Sequence, residues 1–178
     1  MTRFLQVSFL AFMVLLTGCA ANVQRSGADA APLALATGGK SQIVLMVSGS
    51  EAAAQSGDWE LMRAEWRRSM AAAAAARGIN FVYQDAPTKT SIDAGTHVNV
   101  KVNDYRFIST GTRYALGVFS GNAYVNTDVT FSEAKSGRVV GTRKYDTTSS
   151  FMQGAFSAMT IKQVEAMCTE IVKEVAGL

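Results

Sequence analysis

The chain has 178 residues, 17 basic and 14 acidic, a formal net charge of +3, two cysteines and a single histidine. This length allows one modest domain beyond any leader. The scattered basic residues argue against a nucleic-acid surface, and one histidine falls short of the three or four ligands that a zinc site needs.

The first element is a leader. Arg3 and the amino terminus give it a positive start, and Phe4 to Leu16 is an almost unbroken apolar stretch. A bilayer-spanning helix needs about 20 apolar residues, and this stretch is shorter. It ends in Leu16-Thr17-Gly18-Cys19, with a small residue at the cleavage position. That ending resembles the lipobox of bacterial lipoproteins. The resemblance implies that residues 1–18 are a lipoprotein signal peptide and that Cys19 becomes the acylated first residue of the mature chain, with a diacylglyceryl thioether and a third chain on its amino group. Each buried methylene adds about 0.8 kcal/mol, so several acyl chains hold a protein on a membrane. Ala20 occupies the position where Asp often signals inner-membrane retention. The implied address is therefore the outer membrane, with the body facing the periplasm. Loss of Arg3 with the leader takes the formal net charge from +3 to +2.

Ala20 to Lys40 is rich in Ala, Gly and small polar residues and shows neither helical nor strand periodicity. It is expected to be a flexible tether, residues 19–40, reaching about 25 Å on average. The globular domain is expected over 41–178. Gln42 to Val47 reads as a strand covered on both faces, and Ser48-Gly49-Ser50 breaks it. A helix follows with Asp58 as its N-cap. Trp59, Met62, Trp66, Met70 and Ala73 form its apolar stripe, and Arg77-Gly78 ends it. Arg63, Arg67 and Arg68 fall on the outer face, either as a solvated surface or as a site for anionic head groups or a carboxylate-rich partner.

Ile79 to Tyr83 reads as a second strand, giving a βαβ-like unit. Ala86-Pro87 starts a polar loop, after which Val98, Val100 and Val102 alternate with His97, Asn99, Lys101 and Asn103. Tyr105 and Phe107 have the opposite parity to those valines, which predicts a bulge near Asn103-Asp104. Ala123, Val125, Thr127, Val129 and Phe131 alternate in a half-buried strand. Glu133 to Gly137 forms a hairpin loop, and Arg138 to Thr147 is the return strand, with Val139, Val140 and Tyr145 available for packing. A segment from Ser149 to Ala158, expected to be flexible, leads to the last helix, where Thr160 and Gln163 form a capping-box pattern. Ile161, Val164, Cys168, Ile171 and Val175 make its buried stripe, so Cys168 acts as a small hydrophobe. With Cys19 acylated, no internal disulfide remains. The predicted fold is α+β: a two-layer sandwich of a mixed, mostly antiparallel sheet and two packing helices.

The stretch Gly111 to Gly121, GTRYALGVFSG, joins two strands. It lacks the Gly-Lys-Ser/Thr of a phosphate loop and the spacing of a nucleophile elbow. Its glycines serve a bulge or tight bend, or its apolar residues Leu116, Val118 and Phe119 form an exposed interface. From Val98 onward, and especially from Arg113 through Gly121 into AYVNTDVTFSEAKSGRVVG, the pattern resembles a family of small bacterial envelope lipoproteins that is known only as a domain of unknown function. The matching features are the Gly-rich turn, the Val-alternating strand, the turn closed by Ser136-Gly137 and the carboxy-terminal helix. The resemblance implies an α/β sandwich in the cell envelope and carries no catalytic residues. More distantly, the order of elements is similar to the periplasmic domain of the curli-secretion lipoprotein and to the amino-terminal domain of the Tol system's periplasmic protein.

A serine hydrolase would have to combine His97 with residues such as Ser120 and Asp128, and nothing in the sequence brings them together. Asp85, Asp93, Asp104, Asp128 and Asp146 read as dispersed at strand ends and turns. The expected function is a noncatalytic envelope lipoprotein without cofactor or metal. It would bind the membrane through Cys19 and a protein partner through a sheet edge or the Gly111–Gly121 loop. The alternatives are a subunit of a secretion or assembly complex and a small periplasmic hydrolase.

Overall fold

The structure is a computed structural model that describes residues 23–26, 31–36, 38–86, 94–107, 122–148 and 159–178. Nine elements follow in chain order: β1 (Val23–Ser26), β2 (Gln42–Gly49), α1 (Glu51–Ala54), α2 (Trp59–Ala75), β3 (Asn80–Gln84), β4 (Thr96–Arg106), β5 (Tyr124–Glu133), β6 (Val139–Thr148) and α3 (Met159–Ala176). The strands form one six-stranded sheet in the order β1-β6-β5-β4-β2-β3. β2 runs parallel to β3 and β4, and every other pairing is antiparallel. This is the expected mixed α+β sheet, with α1 as an extra short helix. Ser50 caps α1, its Oγ accepting from the Ala53 amide at 3.1 Å.

The core lies between one face of the sheet and the helix pair. Ile43, Leu45 and Val47 of β2, the three valines of β4, and Val125, Val129 and Phe131 of β5 meet Met62, Trp66, Met70 and Ala74 of α2. Val164, Met167, Cys168, Ile171, Val172 and Val175 of α3 complete it. Period-two alternation in the strands and 3–4 spacing in the helices put these residues on facing surfaces. Cys168 is fully buried, and burial pushes its thiol well above the ordinary range, with Glu65 and Glu165 acting in the same direction.

The bulge falls where the parity change predicted it. Val102 pairs with Thr127 and Asp104 with Asn126, leaving Asn103 as the extra residue. Tyr105 is thereby turned back to the core side, where it packs against the buried cluster. The hairpin closes with Gly137 at φ +71° and its amide on the Glu133 carbonyl at 2.8 Å.

Four expectations are corrected. Val23–Ser26, expected to be part of a tether, is an edge strand antiparallel to β6, with Val23 opposite Thr147 and Ser26 opposite Lys144. Leu33 and Leu35 also pack against the core, so the described body begins at Val23 rather than near Ser41. The cause is a partner remote in sequence. Arg143 of β6, whose side chain is 1 % exposed, donates from Nη2 to the Ala31 carbonyl at 2.7 Å and from Nε to Glu174 of α3 at 2.8 Å. The other Glu174 oxygen accepts from the Tyr145 hydroxyl at 2.6 Å and lies 3.3 Å from Arg25 of β1.

Second, Asp58 stands at the N-cap position of α2 as expected, but its side chain makes no cap bond. Its carboxylate accepts from Ser56 and, at 2.6 Å, from Tyr105. Burial, with the Asp58 charge beside it, pushes the Tyr105 phenol up to about 12. Third, Thr160 and Gln163 both reach the sheet: Thr160 Oγ1 donates to the Arg106 carbonyl at 3.3 Å and Gln163 Nε2 to the Ala123 carbonyl at 3.0 Å. They pin the start of α3 to the ends of β4 and β5. Fourth, Val139 is 55 % exposed, because a second register shift at Phe131/Ser132 turns it outward while Val140 packs inward.

Removing one member of a buried ion pair leaves the other as an uncompensated charge, at a cost of about 3–5 kcal/mol. Glu174→Ala should therefore lower the urea midpoint steeply, whereas the pair Arg143→Met with Glu174→Leu should recover most of the loss. Equal midpoints for wild type and Glu174→Ala would contradict the role assigned to the pair.

Candidate functional site at the sheet edge

The sheet ends on one side at β3, which pairs only with β2 among the described residues. Phe81 and Tyr83 share one face of this strand and turn toward α2, whose residues 60, 63, 64, 67 and 71 recur at helical spacing along the same side. The result is an open groove of about 470 Å³, lined by Phe81, Tyr83, Ala64, Ala71 and the three arginines, with Glu60 and Asp85 at its mouth.

The arginines are not equivalent. Arg63 is held by Glu60 at 3.1 Å, by the Tyr83 hydroxyl at 3.2 Å and by Asp85 at 2.6 Å. The Tyr83 contact is the foremost cause that raises its pKa. Arg68 bridges Glu65 at 2.6 Å and Glu165 at 2.7 Å, tying α2 to α3. Glu65 itself is nearly buried and also accepts from Ser69. Arg67 has its guanidinium 5.4 Å from the centroid of the Tyr83 ring, and no carboxylate lies within ion-pair distance of it among the described residues. Two of the three charges are thus spent on intramolecular pairs, and exposed pairs of this kind stabilise little. The groove offers an aromatic floor, one guanidinium without a carboxylate, and an adjacent strand edge. Such an edge accepts an added strand through main-chain hydrogen bonds.

The remaining candidate residues lie apart. His97 on β4 pairs in register with Ser132, four residues along β5 from Asp128, which places the two about 13 Å apart. Asp128 accepts from Asn103 at 2.9 Å and faces Lys144 at 4.0 Å. The imagined triad of His97 with Asp128 is therefore not assembled, and Ser120 lies outside the described residues. So do Cys19, Asp93 and the candidate interface Leu116, Val118 and Phe119. Asp128 and Asp146 lie within strands and not in turns. With Asn103 and Asn126 they form a hydrogen-bonded row in which Asn126 donates to Asp146. Strand alternation put Asn126 and Asp128 on one side in the sequence, but only the hairpin register, Asn126 opposite Asp146, brings Asp146 to them. Among the described residues, no group of three or more His, Cys, Asp and Glu side chains gathers in a metal-binding arrangement.

No family model matches the sequence, and no curated protein matches it significantly. Solved structures with this fold do match. The PelC dodecamer from Paraburkholderia phytofirmans aligns at 13% identity over 89% of this chain and 99% of its own, with a TM-score of 0.53. A single-substitution variant of that dodecamer aligns at 15% identity over 83% and 96%, with a TM-score of 0.52. A Xanthomonas campestris protein from a family of unknown function aligns at 13% identity over 74% and 81%, with a TM-score of 0.45.

Burial lowers the pKa of His97 in the folded chain, whereas an unfolded histidine binds its proton near about pH 6.5. As pH falls through the window between these values, the unfolded state takes up a proton that the folded state does not, so stability declines. The urea midpoint should therefore drop more in wild type than in His97→Gln between about pH 7.5 and about pH 5.5; identical drops would contradict this. At the level of architecture, the chain is built like a PelC subunit.

Proposed function

We propose that this chain is an outer-membrane lipoprotein, anchored by an acylated Cys19 and facing the periplasm, which acts without catalysis as a scaffolding subunit of a multimeric envelope assembly. The observation that carries the reading is the shared fold with PelC, a protein seen as a dodecamer, across nearly the whole of that chain. The lipobox pattern at Leu16-Thr17-Gly18-Cys19 supports the address. Among the described residues no helix is long and apolar enough to cross a membrane.

The sheet supports the assembly. β1 and β3 lie at its opposite sides and differ in sequence and surroundings. Two unlike surfaces on one subunit give head-to-tail contacts, which close into a ring when the rotation between neighbours divides a full turn. The α2–β3 groove, and the Leu116, Val118 and Phe119 loop, are the proposed contact regions.

Two measurements test this. Acylated protein in mild detergent should run as one discrete multimer by light scattering and crosslink to a single ladder limit; a uniform monomer at micromolar concentration would contradict the assembly. Cys19→Ser should block acylation and lipoprotein-type processing, and normal processing with continued sedimentation in envelopes would contradict the anchor.

A further inference from the structure

Only Ala20, Ala21 and Asn22 separate Cys19 from Val23, the first residue of β1. A polypeptide extends at most about 3.6 Å per residue, so four steps reach no more than about 14 Å. β1 itself is fastened to the body: it pairs with β6 along its length, Arg25 lies 3.3 Å from Glu174, and Arg143 holds the Ala31 carbonyl at 2.7 Å. The 21 residues from 20 to 40 therefore do not act as one long leash.

We infer that the end of the sheet at which β1 begins lies against the bilayer, so that the body docks on a lipid surface in one orientation. This rests on the acylation of Cys19 proposed above. The topology fixes which residues share that end. β6 finishes there, β5 begins with Tyr124, and β4 finishes with Arg106. β2, parallel to β4, finishes there too and leads into α1. Trp59, at the start of α2, stands 6.2 Å from Tyr105 between ring centroids. Trp59, Tyr105, Phe107 and Tyr124 are all half-buried; the first three also pack against the core, and the Tyr105 and Tyr124 hydroxyls donate to Asp58 and Asp104. Tryptophan and tyrosine favour the head-group level of membranes, where an apolar ring body and a polar tip are both accommodated. The far end carries the charged hairpin of Glu133 and Arg138, and the near end carries the exposed Glu51, Asp104 and Arg106 beside its aromatic residues. The two ends are about 33 Å apart, the length of the eleven residues of β4.

The test uses acylated full-length protein on phosphatidylethanolamine–phosphatidylglycerol vesicles that contain a head-group spin-labelled lipid. Gln55→Cys, just after α1, and Lys135→Cys, in the hairpin, are labelled separately with a fluorophore. Both positions are exposed, whereas native Cys168 is buried and Cys19 is acylated, so only the introduced thiol reacts. The Gln55 label should be quenched severalfold more than the Lys135 label. A flexible Gly-Ser insertion of about 20 residues after Asn22, reaching about 25 Å, should equalise the two while the protein still floats with vesicles. Equal quenching without the insertion, in protein that floats, would overturn the docked orientation and leave the anchor standing. Protein that fails to float would overturn the anchor, and the orientation with it.

Discussion

The Arg143–Glu174 pair ties together parts of the molecule that also meet through the β1–β6 ladder and the core packing of α3. Its two side chains are 1 % and 10 % exposed, and they connect β6 to α3 near the carboxyl terminus. The same carboxylate takes the Tyr145 hydroxyl and faces Arg25, while the guanidinium takes the Ala31 carbonyl. Burial, with the Glu174 charge close by, raises the Tyr145 phenol far above its ordinary range, so it stays a donor. A charge taken out of water is tolerable only when its hydrogen-bonding capacity is filled. Beyond the pair itself, three partners supply it here: the Tyr145 hydroxyl, Arg25 and the Ala31 carbonyl.

The consequence reaches the edges of the sheet. With β1 added beside β6, the sheet has one edge made by the segment nearest the proposed anchor and another made by β3 beside α2. Helix packing reinforces the same arrangement. Arg68 joins Glu65 of α2 to Glu165 of α3, and Thr160 and Gln163 fix the start of α3 to the ends of β4 and β5. The groove between α2 and β3 is therefore lined by side chains already set in place by internal pairs. Preorganisation of this kind lowers the entropy that association must overcome.

Much of the core was legible in the sequence because it follows local periods. The β4 and β5 alternation, the parity break at Asn103, the Gly78 and Gly137 turns and the burial of Cys168 all rest on residues close together in the chain. What escaped depends on distant partners. Val23 to Ser26 carries three exposed residues and no alternation, since an edge strand takes its place from the ladder beside it. Arg143 shares parity with Tyr145, but what permits its burial is a carboxylate 31 residues away. Thr160 and Gln163 had the spacing of a capping box, yet the carbonyls of Arg106 and Ala123 lay within their reach. At the candidate groove, the arginine cluster was visible, but its division into two paired charges and one stacked on Tyr83 was not.

The most direct test of the account is amide hydrogen exchange across residues 23–26 in the acylated wild-type protein. If the buried pair fastens β1 to β6, the alternate amides of Val23–Ser26 that face β6 should exchange with protection close to that of their partners Lys144 to Thr147. Exchange at the rate of an unstructured peptide, with β6 protected, would show that this segment is a free tether and that the body is not fastened at its first strand.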